Sequence, residues 1–445
     1  MKREMLWKAL AVGGLALLLL LPLSMIEGLV SARSRRQKEV EANIAQTSAD
    51  RQQLVGPLLA LDYTAKQTSW VPGEKGEKGE KGFWQEKEIS ASLLLPPRKV
   101  LLEGKVQVEE RYRGLYKAQL FHLEGRLQGE VDIPLRPTLP SGLREVSWGK
   151  ARLLFAVSDL RGLQSHPQLQ WGKGTVDFRL AEAEPHVGRG LEAELGPVSE
   201  LMGTHQAFQI PLLKLLGTQE FSVAPVAEDT QVHLSSNWAS PSFAGRFLPE
   251  RRTITPGGFD AHWQVAGLAR DLNAILDGRG RSEEVFSVSF LEPVNIYLQA
   301  ERATKYGFLF VGLVFAAFFF FEVLKRLPIH PMQYLLVGLS LALFFLLLLS
   351  LSEHLPFLWA YVSASVSSVL LLGFYLMGVL RSWIRSLGFA AAMALLYGVL
   401  YGLLASEDNA LLMGSALLFA VLAGVMAATR RVDWYGLGQG TRTSE

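Results

Sequence analysis

Five apolar segments crowd into the last third of the chain: Tyr306 to Leu324, Met332 to Leu351, Leu355 to Leu380, Leu387 to Leu404 and Ala410 to Thr429. A hydrocarbon core of ~30 Å takes roughly 20 helical residues to cross, and each run is about that long. A further run, Ala9 to Val30, follows Lys2, Arg3 and Lys8 near the N-terminus. Val30-Ser31-Ala32 would suit a signal-peptide cleavage site. The run is long for a signal peptide, however, and Glu27 lies between its core and that site. An uncleaved anchor is expected, which makes six transmembrane helices, one N-terminal and five C-terminal.

Charge orients them. Lys325 and Arg326, Arg381 and Arg385, and Arg430 and Arg431 follow alternate helices of the C-terminal group. The other connections carry Glu353 and His354, then Glu407 and Asp408, with no Lys or Arg. Short loops rich in Lys and Arg stay in the cytoplasm. Both termini are therefore expected inside and everything between the first two spans outside. Arg33, Arg35, Arg36 and Lys38 stand against this, just past the first helix. Long domains translocate largely regardless of charge, and the short loops agree with one another.

Residues 31–304 are a different material. Segments such as "KVLLEGKVQVEERY", "LEGRLQGEVDIPL", "GTVDFRLAEAEP" and "FDAHWQVAGLA" alternate apolar and polar residues between turn formers. That period of two predicts short antiparallel strands, and many of them predict a large β-rich, sandwich-like domain. "RSRRQKEVEANIAQTSADRQQL" reads as a helical stalk over 31–54. "GEKGEKGEKG", Gly73 to Gly82, has too few triplets for a collagen helix and reads as a flexible loop at a hairpin tip. The expected partition is 1–8 cytoplasmic, 9–30 first helix, 31–304 β-rich domain, 305–429 five-helix bundle and 430–445 cytoplasmic tail.

Chemistry is scarce. Cysteine is absent, which removes disulfides, thiolate metal sites and a Cys nucleophile. A net charge of +2 gives no bulk signal for nucleic acid. No H-E-x-x-H, P-loop or G-x-S-x-G occurs. His122, His166, His186, His205, His233 and His262 show no ligand spacing. His330 and His354 flank one apolar run, and the intervening helix spans roughly 36 Å, so they cannot share a metal. His330, before Pro331, reads as a helix cap. "GLSL", Gly338 to Leu341, lacks a histidine base on any spanning helix, so a serine-protease reading fails. Glu322 has Lys325 and Arg326 at i+3 and i+4, which reads as a local helix pair. No cofactor is expected.

The densest constellation is "SSNWASPSFAGRFLPERRTITPGGFDAHWQV". Its Asn237, Trp238, Pro241, Phe243, Gly245, Phe247, Phe259, His262 and Trp263 read either as strand core with tight turns or as an aromatic surface that grips a partner. Candidate membrane-interface residues are Glu322, Arg326, His330, Pro331, Gln333, Tyr334, Glu353 and His354.

"SSNWASPSFAGRFLP", "RATKYGFLFVGLVFAAFFFFEVL", "HPMQYLLVGLSLALFFLLLLSLSEH", "LVGPLLALDY" and the closing "DWY" resemble the CreD inner-membrane protein family over nearly the whole chain. "GEKGEKGEKG" is not a feature of that family. The resemblance implies a bacterial inner-membrane protein with a large periplasmic domain. It also implies a link to the CreBC two-component regulon and to envelope phenotypes, including colicin tolerance and altered β-lactam response. It supplies no catalytic residues. The expected function is non-enzymatic support of envelope integrity and stress response, through a periplasmic or inner-membrane protein partner and the lipid bilayer. The alternatives are a transporter or flippase for a lipid or envelope precursor, which needs a polar cavity among the helices, and an envelope-modifying enzyme, which needs clustered acids or histidines in the outer domain.

Overall fold

A computed structural model describes residues 2–71, 83–181, 190–267, 284–292, 296–325, 329–380, 382–405 and 410–430. The chain divides into two compact units, Met1–Lys38 with Val294–Glu445, and Glu39–Pro293.

The second unit is built of strands. In chain order they are β1 (Gln52–Val71), β2 (Phe83–Leu95), β3 (Lys99–Arg113), β4 (Tyr116–Asp132), β5 (Leu143–Val157), β6 (Gln168–Trp171), β7 (Gly174–Asp177) and β8 (Arg179–Leu180). There follow β9 (Leu191–Pro197), β10 (His205–Thr218), β11 (Glu220–Ala224), β12 (Asp229–Ser236), β13 (Ser242–Gly245), β14 (Arg251–Thr255), β15 (Gly258–Ala266) and β16 (Phe286–Ser289). One sheet runs β13-β16-β11-β1-β5-β9-β8, with β2 also on β1; the other runs β14-β15-β12-β3-β4-β10-β6-β7.

Alternation decides which side chains enter the core. On β15, Phe259, Ala261, Trp263 and Val265 are buried while Asp260 and Gln264 are exposed. They join Leu61, Leu153 and Phe155 of one sheet and Leu102, Leu123 and Leu215 of the other in a continuous core. Each large side chain removed from water contributes about 1.5–3 kcal/mol before chain entropy is counted.

Two pairings are parallel, against the antiparallel expectation: Gln52–Val55 with Phe221–Ala224, and Lys99–Val106 with Asp229–Ser236. Alternation reports a strand's buried face and says nothing about its neighbour's direction, so the sequence carried no sign of this. At Gly56, φ is +106° and a side chain would press on Leu154 and Phe155. There β1 slips register against β5 and changes its other neighbour from β11 to β2. The β1–β2 hairpin is paired from Leu59–Leu95 to Val71–Phe83, and the Gly73 to Gly82 segment beyond it lies outside the described residues.

The first unit is helical. Among the described residues the α-helices are α1 (Lys2–Leu18), α2 (Leu20–Thr47), the one-turn α3 (Val198–Leu201) in the β unit, α4 (Ile296–Lys325), α5 (Pro331–Ser352), α6 (Phe357–Leu380), α7 (Trp383–Ala405) and α8 (Ala410–Thr429). The helical stalk expected to reach residue 54 stops at Thr47, because Gln52–Leu54 pair with Phe221–Val223 in the sheet.

Among the described residues, five helical segments are long and apolar enough to cross a membrane: Leu10–Thr47, Ile296–Phe319, Pro331–Ser352, Phe357–Val379 and Trp383–Ala405. The expected six thus become five among the described residues, where the last helix, α8, is represented by the shorter apolar stretch Leu412–Gly424. Helix α5 packs against α1, α4 and α6; α7 packs against α4, α6 and α8. Gly338 on α5 makes room for Leu19, at the break between α1 and α2: a side chain there would collide with Leu19 and come within 3.0 Å of the Phe315 ring. Tyr361 donates to the Tyr397 carbonyl at 2.6 Å, and Tyr397 bonds Ser368 at 2.8 Å.

Candidate functional site

The aromatic constellation is mostly core. Trp263 is 1% exposed and Phe259 4%. Trp263 stacks on Phe286 and meets Phe243 edge-on. Trp238, Phe243 and Phe247 are half-buried against the same core, and Pro241 is half-buried. Trp238 donates its indole N–H to the Ser240 carbonyl at 2.9 Å. The reading as a gripping aromatic surface therefore gives way to strand core and turns, since the β15 alternation turns Phe259 and Trp263 inward.

The polar members have structural partners too. Asn237 clamps the backbone of Val108, accepting from its N–H at 2.8 Å and donating to its carbonyl at 3.2 Å. Gly245 has φ +90° and pairs with Phe286; a side chain there would collide with the Val285 carbonyl. His262 lies directly across from His233, with ring centres 6.3 Å apart, and its Nδ1 is buried without a hydrogen-bond partner. Asp260 engages His233 at 2.8 Å. Among the described residues no group of three or more His, Asp or Glu could hold a metal ion.

The interface residues separate into two ends of α5. His330 caps its N-terminus: Nδ1 accepts from the Met332 N–H at 3.2 Å, and Gln333 Oε1 accepts from the His330 N–H at 3.1 Å. Pro331 fills the first helical position, where its missing N–H costs nothing. Glu322 is 6% exposed and accepts from the Tyr334 hydroxyl at 2.6 Å and the Ile329 N–H at 3.3 Å. Glu322 is thus held by the connection that follows its helix and by α5; of the cations expected to pair with it, Arg326 lies outside the described residues. At the other end Glu353 sits 3.4 Å from Arg33, and His354 is exposed.

Sequence reading missed the most elaborate polar site. A cleft of about 660 Å³ lies over β1, β2 and β5, lined by Asp62, Thr64, Ser90, Ser92, Trp148 and Arg152 among others. Register shifts between Leu61 and Tyr63 and between Thr64 and Lys66 bend the sheet there. Arg152 forks onto Asp62, with Nε at 2.9 Å and Nη2 at 2.7 Å, and sends Nη1 to Glu192 at 2.7 Å. Ser92 donates to Asp62 at 2.8 Å and accepts from Arg152 at 3.1 Å. Arg152's side chain is 16% exposed. Such a fork is strong and directional, because two charge-assisted bonds fix one plane. Beside it Lys150 and Arg179 hold the Glu194 carboxyl below the usual carboxylate range, the Lys150 hydrogen bond being the largest cause. A charged residue at an outward position of an apolar strand, as in "KARLLFAV", was the available signal.

A second polar cluster ties the stalk to the β unit. Asp159 accepts from the Asp50 N–H and the Arg161 N–H, each at 3.0 Å, and from Arg161 Nη2 at 2.6 Å. Arg161 Nη1 donates to the Gln46 carbonyl. The Arg161 guanidinium holds the Asp159 carboxyl down at about 2.

Membrane-length helices in one unit and two sheets in the other define a multi-pass membrane protein with a large β-rich domain. The family described as "Inner membrane protein CreD" matches residues 4–435. Inner membrane protein CreD of Escherichia coli (strain K12) is 36% identical over 440 residues, covering 98% of this chain and 95% of that protein. The chain belongs to the CreD family of inner membrane proteins. Among solved structures, the M1 zinc metallopeptidase from Deinococcus radiodurans matches at 13% identity over 44% of this chain and 42% of that one, with a TM-score of 0.22. A form of that enzyme bound to a Tyr-Ser-Ala substrate gives 14% and the same TM-score of 0.22. Likeness at that level carries no conclusion about fold or chemistry.

Proposed function

We propose that this protein supports cell-envelope integrity without catalysing a reaction, its β unit lying in the periplasm and recognising a protein partner through the cleft around Arg152. The observation that carries the reading is the state of the cleft's charges. Arg152 bonds Asp62, Ser92 and Glu192, and Ser92 also bonds Asp62, so the charged groups of the floor are engaged with one another and one negative charge is left in excess. A catalytic acid or nucleophile needs an atom free to act and a base aimed at it. The rim, with Thr64, Ser90 and Ser147, offers hydroxyls for recognition.

The orientation rests on the alternating loop charges together with the 3.4 Å approach of Arg33 to Glu353. That approach puts the end of the first span and the α5–α6 connection on one side. Both termini are then cytoplasmic. Because the chain lacks cysteine, Leu135→Cys should react with an impermeant maleimide in whole cells and Met332→Cys only after permeabilisation.

The function is tested in a strain lacking the protein, scored for growth under envelope stress. Ser147→Trp, which crowds the cleft without touching its ion pairs, should lose complementation at normal protein level. Glu192→Gln should retain most of it. The opposite pattern, with Ser147→Trp active and Glu192→Gln dead at normal level, would replace recognition by an enzyme.

A further inference from the structure

A groove of about 350 Å³ lies between α4 and α7, lined by Leu313, Val314, Ala317, Gly388, Phe389 and Met393 among others, with Arg385 at one end. Apart from that guanidinium its walls are apolar. Its open side is made by small residues: Ala317 and Ala392 line it, and a side chain added at Gly388 would meet nothing within 4 Å.

Arg385 is exposed and makes no hydrogen bond or ion pair among the described residues. It also stands in the first turn of α7, where the helix dipole disfavours a cation. Helix stability therefore does not account for it. Nor does docking of another apolar helix, which would lay hydrocarbon beside an unpaired guanidinium and desolvate it without compensation. A ligand joining an anion to a hydrocarbon tail satisfies both parts at once.

We propose that this groove binds a phospholipid, the guanidinium of Arg385 holding the phosphate and one acyl chain lying along Leu313, Ala317, Gly388 and Met393. Arginine suits the task because its planar fork matches phosphate oxygens, and the site selects a headgroup where a bare hydrophobic surface would not.

The test uses the purified full-length protein in detergent, with bound lipid counted by native mass spectrometry. Phosphatidylglycerol should stay bound, and diacylglycerol, which keeps the tails and lacks the phosphate, should not. Arg385→Gln should retain at least five-fold less phosphatidylglycerol, and Gly388→Leu should lose it to the same extent with an unchanged melting temperature. Excess inorganic phosphate should leave the lipid in place, since the chain is half of the site. Equal retention by Arg385→Gln, equal retention of diacylglycerol, or displacement by phosphate would each overturn the assignment. Should the variants fail to fold, a photoreactive acyl phosphatidylglycerol added to the unaltered protein must modify peptides carrying Leu313–Ala317 or Arg385–Leu396; modification confined to other helices rejects the site.

Discussion

Asp159→Asn removes the charge that joins the stalk to the β unit. The Asp50 and Arg161 N–H groups bond different carboxyl oxygens, so the amide, with one acceptor oxygen, keeps a partner for only one of them as it loses the charge that holds Arg161. The carboxyl lies at about 2 in the folded protein against an ordinary 3.8. At ~1.36 kcal/mol per unit the shift corresponds to a ceiling of about 2.4 kcal/mol. Arg161's side chain is 56% exposed, so solvent screening leaves roughly 1–2 kcal/mol. The sign follows from linkage. The folded state lowers the carboxyl's affinity for a proton, so the stabilisation is complete above pH ~4 and is lost as pH falls toward ~2. The assay is urea unfolding of the detergent-solubilised protein, followed by tryptophan fluorescence from pH 6 down to pH 2. Asp159→Asn should be less stable than the unaltered protein at pH 6 by about that amount, and the two curves should converge at the acid end. A difference that persists unchanged to pH 2, or that is absent at pH 6, would refute the role given to the Arg161 pair.

Arg152→Met should destabilise the β unit by about 3–5 kcal/mol, because it strands Asp62 and Glu192 beside each other in a half-buried cleft. Melting of Arg152→Met with and without Asp62→Leu checks this, and the second substitution should recover part of the loss. Trp263→Ala should cost about 3–5 kcal/mol as a core cavity, and the half-buried Trp238→Ala clearly less; equal losses in urea titrations would contradict the burial pattern. Gly338→Leu should disrupt the seat of Leu19 on α5, lowering the melting temperature in detergent by the equivalent of about 1–3 kcal/mol. Leu19→Ala in the same chain should restore much of it, and failure of that rescue would place the strain elsewhere.

What the sequence made legible follows from how far each interaction reaches along the chain. A run of about twenty apolar residues is a local property, so four of the five C-terminal spans could be read directly. The cap at His330 was equally local, since Pro331 and Gln333 are its neighbours. Strand faces were readable at Phe259 and Trp263 from alternation, and the same alternation argued against their serving as a surface, an inference that clustering of aromatic residues obscured. The Arg152–Asp62 fork joins residues 90 positions apart. It depends on the register of β1 against β5, which bulges set and no local pattern reports. Glu322 is the intermediate case. Its i+3 and i+4 cations were visible, while the hydroxyl of Tyr334 comes from the next helix.

The basic cluster after the first span is where sequence and structure are most useful together. Taken alone, Arg33, Arg35, Arg36 and Lys38 would pull the end of that span into the cytoplasm. Taken alone, the acidic α5–α6 connection would stay out. The approach of Arg33 to Glu353, whose side chain is 8% exposed, makes the two signals dependent on each other: whichever face of the membrane receives one receives both. The first helix cannot be flipped by itself to satisfy its cations without separating that pair and burying Glu353 with no countercharge, a loss of several kcal/mol. The cluster therefore shares a side with the α5–α6 connection, whichever side that is. Charge reversal at Glu353 alone should thus disturb insertion of the first span, 320 positions away by subtraction of Arg33 from Glu353, and Arg33→Glu in the same chain should restore it. Cysteine accessibility at Leu135 reads both outcomes; unaltered labelling in Glu353→Arg would show that the pair has no part in topology.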